Sequence, residues 1–133
     1  MSANDHIKTI ETAYEAFGRG DVAAILELLT DDVDWASEAV SSVAPWYGVK
    51  HGAAGVAQFF QAFGETIEVE EFTPIAFAAN DTDVLTVIRY RGRARSTGTE
   101  FAMHLHHYFK FRDGKVYYYR GSEDTAQTVD ALS

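Results

Sequence analysis

The sequence contains no cysteine and only two prolines, Pro45 and Pro74. The first absence excludes thiolate catalysis, Cys-ligated zinc and disulfides, and with them the small secreted scaffolds that depend on bridges. No apolar run approaches the ~18 residues of a membrane span, and the opening MSANDHIK has neither a basic nor an apolar leader region. A cytoplasmic chain with no membrane partner is expected. Basic side chains are scarce early: residues 1–88 hold Lys8, Arg19 and Lys50 against fifteen acidic groups, whereas residues 89–133 hold eight against five. The net charge of −9 disfavours nucleic acid and anionic lipid as partners.

What is present is a core. With 133 residues, 47% hydrophobic and 14% aromatic, the chain fits one domain over residues 1–133. No repeat or low-complexity tract divides it. The first part is helical by period. Asn4 or Asp5 can cap a helix with Ile7, Ile10, Tyr14 and Phe17 on one stripe, ending at Gly18 and Gly20. Asp21 caps a second helix over Val22 to Leu29, and Val33 and Trp35 alternate with polar residues as a short strand. Residues 37–51 read as a loop around Trp46 and Tyr47, followed by a third helix from about Ala54 to Phe63.

The second part is rich in β-branched and aromatic residues: Glu68–Ala78, Asp83–Arg95, Glu100–Arg112 and Lys115–Ser122, separated by Asn80-Asp81, Ser96-Thr97-Gly98 and Asp113-Gly114. Pro74 marks its strand as an edge or a bend. Helices followed by an antiparallel meander give an α+β domain with helices on one sheet face.

Strand parity exposes the chemistry. Phe101, Met103, Leu105, His107, Phe109 and Phe111 share one face, so His107 points with the apolar set toward the helices. It is either a satisfied core histidine or the polar group of a pocket. His104 and His106 fall on the opposite face, and no metal site is expected there. Arg89, Arg91, Arg93 and Arg95 share a parity with Leu85 and Val87. Either they pair with Glu68, Glu70 and Glu71 on a neighbouring strand, or Gly92 bulges and one of them, Arg89 or Arg91, reaches the pocket mouth. A regular last hairpin turns Val116, Tyr118, Arg120 and Ser122 inward, and a bulged one turns Tyr119 and Glu123 inward. Glu123 and Asp124 are the acidic pair that can orient an imidazole. Phosphate loops, G-x-S-x-G and HExxH are all missing from the sequence.

Taken in order, Ala13-Tyr-Glu-Ala-Phe-Gly-Arg-Gly-Asp21, Leu28-Leu-Thr-Asp-Asp-Val-Asp-Trp35, Gly55-Val-Ala-Gln-Phe-Phe60 and His107-Tyr-Phe-Lys-Phe-Arg-Asp-Gly-Lys-Val116 resemble the SnoaL-like and ketosteroid-isomerase-like proteins of the nuclear transport factor 2-like superfamily. The resemblance implies a cone: a strongly curved antiparallel sheet with three helices of the N-terminal half closing an apolar cavity. It also implies a homodimer, built through the outer sheet face. The steroid isomerase pattern itself is not reproduced. Its base falls at Ser37, its oxyanion tyrosine at Ala13 beside Tyr14, and its oxyanion aspartate at His107.

What the resemblance implies is cofactor-independent general acid/base chemistry on a small, largely apolar carbonyl, enol or epoxide compound. The alternative is a non-catalytic binding or carrier module with the same cavity. His107 is then the acid/base or oxyanion donor, Asp124 or Glu123 its orienting carboxylate, and Tyr14 a hydroxyl donor. Trp35, Trp46, Phe60, Arg91, Tyr119 and Glu123 are expected around the substrate.

Overall fold

The computed structural model describes residues 2–133. Helix α1 spans Ala3–Gly18, α2 Val22–Leu26, α3 Gly52–Thr66 and α4 Thr125–Leu132; the strands are β1 Leu29–Ser37, β2 Lys50–His51, β3 Ile67–Ala79, β4 Asp83–Ala94, β5 Glu100–Arg112 and β6 Lys115–Ser122. The six strands form one curved, unclosed sheet in the order β2-β1-β6-β5-β4-β3. It is not wholly antiparallel, because β1 runs parallel to β6 from Leu29 opposite Val116 to Ser37 opposite Gly121. That pairing joins distant parts of the chain, so no local pattern announces it.

Helix α1 starts earlier than its apolar stripe suggests. Ser2 is the cap, and it exchanges hydrogen bonds with Asp5 in a capping box, satisfying two backbone donors at the helix start. Helix α2 is a short turn, since Leu29 leaves it to enter β1 and buries beside Val116. Helix α4, absent from the sequence reading, is capped by Asp124 and buries Thr128 and Ala131.

The long strands match expectation closely, and β3 carries Pro74 at the sheet edge beside a register shift. Asp113 and Gly114 both adopt positive φ, 52° and 79°, as a tight hairpin requires. Within that hairpin Lys110 pairs with Tyr118 but Phe111 pairs with Val116, so Tyr117 is the extra residue of a bulge. Val116 and Tyr119 are consequently both buried, which is the bulged alternative.

Strand β4 runs against β5 without a break from Asp83 to Arg93. Its even positions Val84, Thr86, Ile88 and Tyr90 are buried, and Leu85, on the other parity, is 54% exposed. Gly92 is thus no bulge. It is buried where a Cβ would come within 2.9 Å of Phe101 Cζ and 3.0 Å of the Glu68 carbonyl. The bulge is across from it in β3, at Glu70, and it sets Glu70 and Glu71 against the arginines. Arg89 lies 3.3 Å from Glu71, Arg91 3.6 Å from Glu70 and Arg93 3.4 Å from Glu70. These pairs lie on the uncovered outer face, where each contributes no more than about 1 kcal/mol. Arg91 therefore does not reach a pocket, contrary to its expected role.

Candidate functional site

The helices and the inner sheet face enclose a cavity of about 90 Å³. One water needs roughly 10–15 Å³ of such space, so there is room for a small organic molecule. Tyr14 on α1, Trp35 on β1, Trp46 on the loop after β1, Phe60 on α3, His107 on β5 and Tyr119 on β6 all line it, together with Glu123 just past β6. Their rings form one connected wall: Trp35 lies 4.1 Å from Tyr119, which is 5.1 Å from His107. Among the described residues that line the cavity there is no Lys or Arg.

His107 lies opposite Thr86 on β4 and Gly121 on β6. Its Nδ1 is 2.8 Å from Tyr14 Oη, which in turn is 2.7 Å from Thr86 Oγ1. Nε2 makes no hydrogen bond to protein and is not sealed off, so it remains open to a ligand. The residue is partly exposed, and its ring packs against Phe72, Phe109 and Tyr119. Burial of the ring, with His106 beside it, pushes its pKa down to about 3, and the imidazole is neutral at pH 7. Burial likewise pushes the Tyr14 and Tyr119 hydroxyls well above their usual range, so both stay protonated.

Glu123 is the carboxylate of the cavity. Its Oε2 accepts hydrogen bonds from Tyr47 Oη, at 3.0 Å, and from Thr128 Oγ1. Oε1 has no protein partner and is not sealed off. Burial raises the Glu123 pKa above the ordinary carboxylate range; the Thr128 and Tyr47 hydrogen bonds oppose that rise, and the charge of Asp124 adds to it. A half-buried carboxylic acid of raised pKa is the kind of group that serves as an acid or base in a pocket.

Asp124 does not share this site. It is exposed, and its carboxylate accepts from Gln127 Nε2 at 2.9 Å and, as the cap of α4, from Gln127 N at 3.4 Å, which together lower its pKa. It neither touches nor orients His107. That imidazole is held by the Tyr14 hydroxyl, itself bonded to Thr86, rather than by any acid. His104 and His106 are exposed on the outer face, and among the described residues no group of three or more His, Cys, Asp or Glu converges as metal ligands do.

Three contributors were not singled out from the sequence. Thr86 was readable, since it shares the parity of Ile88 and Tyr90 on β4. Tyr47 sits in an aperiodic loop, and Thr128 belongs to the unforeseen helix α4.

Comparison with known proteins agrees with this architecture. No curated protein matches the sequence. A nuclear transport factor 2-like protein from Burkholderia pseudomallei shares 25% identity at a TM-score of 0.90, covering 97% of this chain and 98% of its own. Another, from Burkholderia xenovorans, shares 27% identity at a TM-score of 0.89, covering 100% and 99%. A provisionally named polyketide cyclase from Xanthomonas campestris has the same fold, with 20% identity, a TM-score of 0.78 and 98% of each chain covered. The model of the SnoaL-like domain matches residues 10–119, most of the chain, and the protein belongs to that family.

Proposed function

We propose that the protein is a cofactor-independent acid/base catalyst acting on a small, neutral, largely apolar carbonyl, enol or epoxide compound. One observation carries this reading: a semi-buried carboxylate with a free oxygen and a fixed neutral imidazole with a free nitrogen line the same aromatic cavity. Walls of Trp35, Phe60 and Tyr119 favour a planar apolar body. The lack of a lining cation favours a neutral one.

In the carbonyl case His107 Nε2 meets the ligand oxygen. Glu123 takes a proton from the neighbouring carbon, and the electron pair of the broken C–H bond moves onto that oxygen as an enolate. Returning the proton to another carbon gives an isomer; attack of the enolate carbon on a second carbonyl closes a ring and leaves an alkoxide that takes the proton back from Glu123. Each outcome regenerates Glu123. The provisional naming of one structural neighbour as a polyketide cyclase is compatible with the second route.

The same cavity also suits a binding module, because its lining is overwhelmingly apolar and His107 is already tied to Tyr14. Screening neutral aromatic and terpenoid carbonyl compounds by thermal shift, then assaying turnover, separates the two. Glu123→Gln and His107→Ala are expected to keep binding and to lose turnover by at least about 100-fold, the usual worth of a positioned acid or base. Equal turnover in the variants contradicts the assignment.

The outer sheet face is read as the contact between two copies of the chain. Leu85, Val87 and Tyr108 line an open groove there, together with Glu38, His106 and Arg120, and association removes its apolar part from water.

A further inference from the structure

The hydroxyl protons around His107 have few places to go, and counting them assigns the state of the ring. Tyr14 Oη touches Thr86 Oγ1 at 2.7 Å and His107 Nδ1 at 2.8 Å. Each hydroxyl has one proton to give, and a neutral imidazole has one N–H and one bare nitrogen. The Thr86 hydroxyl, on a residue only 3% exposed, has Tyr14 as its sole protein partner.

Two orders are possible along this chain. In one, His107 donates from Nδ1 to Tyr14 and Tyr14 donates to Thr86; the buried Thr86 proton is then left without a protein acceptor. In the other, Thr86 donates to Tyr14 and Tyr14 donates to Nδ1. Every hydroxyl proton is then used, and the ring proton sits on Nε2, which has no protein partner either but belongs to a partly exposed ring lining the cavity, where a ligand or water can accept it as nothing can at the buried Thr86 hydroxyl. A buried donor without an acceptor is the more costly defect, since an unused lone pair on an oxygen is tolerated far better.

We infer that Thr86 and Tyr14 form a one-way hydrogen-bond relay that holds His107 as the Nε2–H tautomer, so that it offers the cavity a donor and not a base. Thr86 is the positioning residue of this relay. Its donated bond fixes Tyr14 Oη over Nδ1 and strengthens Tyr14 as a donor in turn. Its position supports this, because Thr86 and His107 are direct cross-strand partners on β4 and β5, and the Tyr14 hydroxyl enters between them from α1. The inference deepens the function proposed above by dividing the labour: the ligand group at His107 is a hydrogen-bond acceptor such as a carbonyl oxygen, and proton removal falls to Glu123.

The test needs no substrate. Long-range proton–nitrogen NMR of the ¹⁵N-labelled full chain at neutral pH reads which ring nitrogen bears the proton, with His107 identified by the loss of its signals in His107→Phe. A pyrrole-type Nε2 and a hydrogen-bonded pyridine-type Nδ1 are expected; a pyrrole-type Nδ1 overturns the proton order. Thr86→Val, close in shape but without the hydroxyl, is expected to move the Nδ1 resonance toward that of an unbonded pyridine-type nitrogen, and Thr86→Ser to restore it. An Nδ1 resonance unmoved in Thr86→Val reduces Thr86 to cavity wall and overturns its part. Loss of turnover in Glu123→Gln is read separately, so acid/base catalysis can fail while the relay stands, and the reverse.

Discussion

Tyr47 donates a 3.0 Å hydrogen bond to Glu123, which fastens the loop between β1 and β2 to the carboxylate of the cavity. The same loop supplies Trp46, 2% exposed, to the cavity wall. The bond also restrains the carboxylate, because together with Thr128 it opposes the rise in pKa that burial imposes. Tyr47→Phe is expected to let the Glu123 pKa climb further and to cost about 1.5–3 kcal/mol in stability where Glu123 is ionised. Carbon NMR titration of the carboxyl, and denaturant unfolding at a pH where that titration finds Glu123 ionised, check both. A Glu123 pKa that falls in Tyr47→Phe contradicts the account.

Burial of His107 makes stability depend on pH in a defined direction. Its pKa is depressed from 6.5 to about 3 in the folded chain. Between those values the unfolded chain binds a proton that the folded chain refuses, so stability is intact above about pH 6.5 and drains away as pH falls toward 3. One such group gives a slope of at most about 1.4 kcal/mol per pH unit. Urea unfolding at several pH values is expected to show a steeper acid loss for the native chain than for His107→Asn, and parallel curves contradict it.

Arg91 is the negative control. Its side chain is 48% exposed and pairs with Glu70 and Glu71 on the outer face. Arg91→Ala is expected to change stability by no more than about 1 kcal/mol and to leave ligand affinity untouched, as isothermal titration with any ligand of the cavity measures. A tenfold loss of affinity places Arg91 back at the pocket.

Association of two copies is expected to bury the groove around Leu85. Light scattering after size exclusion is expected to give about twice 14.8 kDa, and Leu85→Glu to return the mass to that of one chain. A native mass of one chain removes this face as an interface.

The inward setting of His107 was legible because six alternating positions of β5 agree, and an unbroken alternation leaves its single polar member no other direction. The paired carboxylates were a harder problem. Glu123 and Asp124 are adjacent and alike; what separates them is that Asp124 begins α4, and that helix buries Thr128 and Ala131 instead of a large apolar stripe. It therefore leaves almost no periodic trace. The facing of β6 depended on one extra residue, Tyr117, which composition cannot reveal. Arg91 was drawn toward the pocket because Leu85 and Val87 are apolar, yet both lie on the uncovered face where the sheet has no helices.

If Glu123 is the base of the cavity, it moves a proton of a ligand bound there. The most direct measurement takes a carbonyl compound that raises the melting temperature, incubates it with the protein in heavy water, and follows deuterium entering the carbon beside the carbonyl by mass spectrometry. Exchange or conversion is expected with the native chain, slowed by about 100-fold or more in Glu123→Gln while the thermal shift persists. Saturable binding with the compound recovered chemically unchanged and free of deuterium, or equal exchange in both proteins, contradicts it.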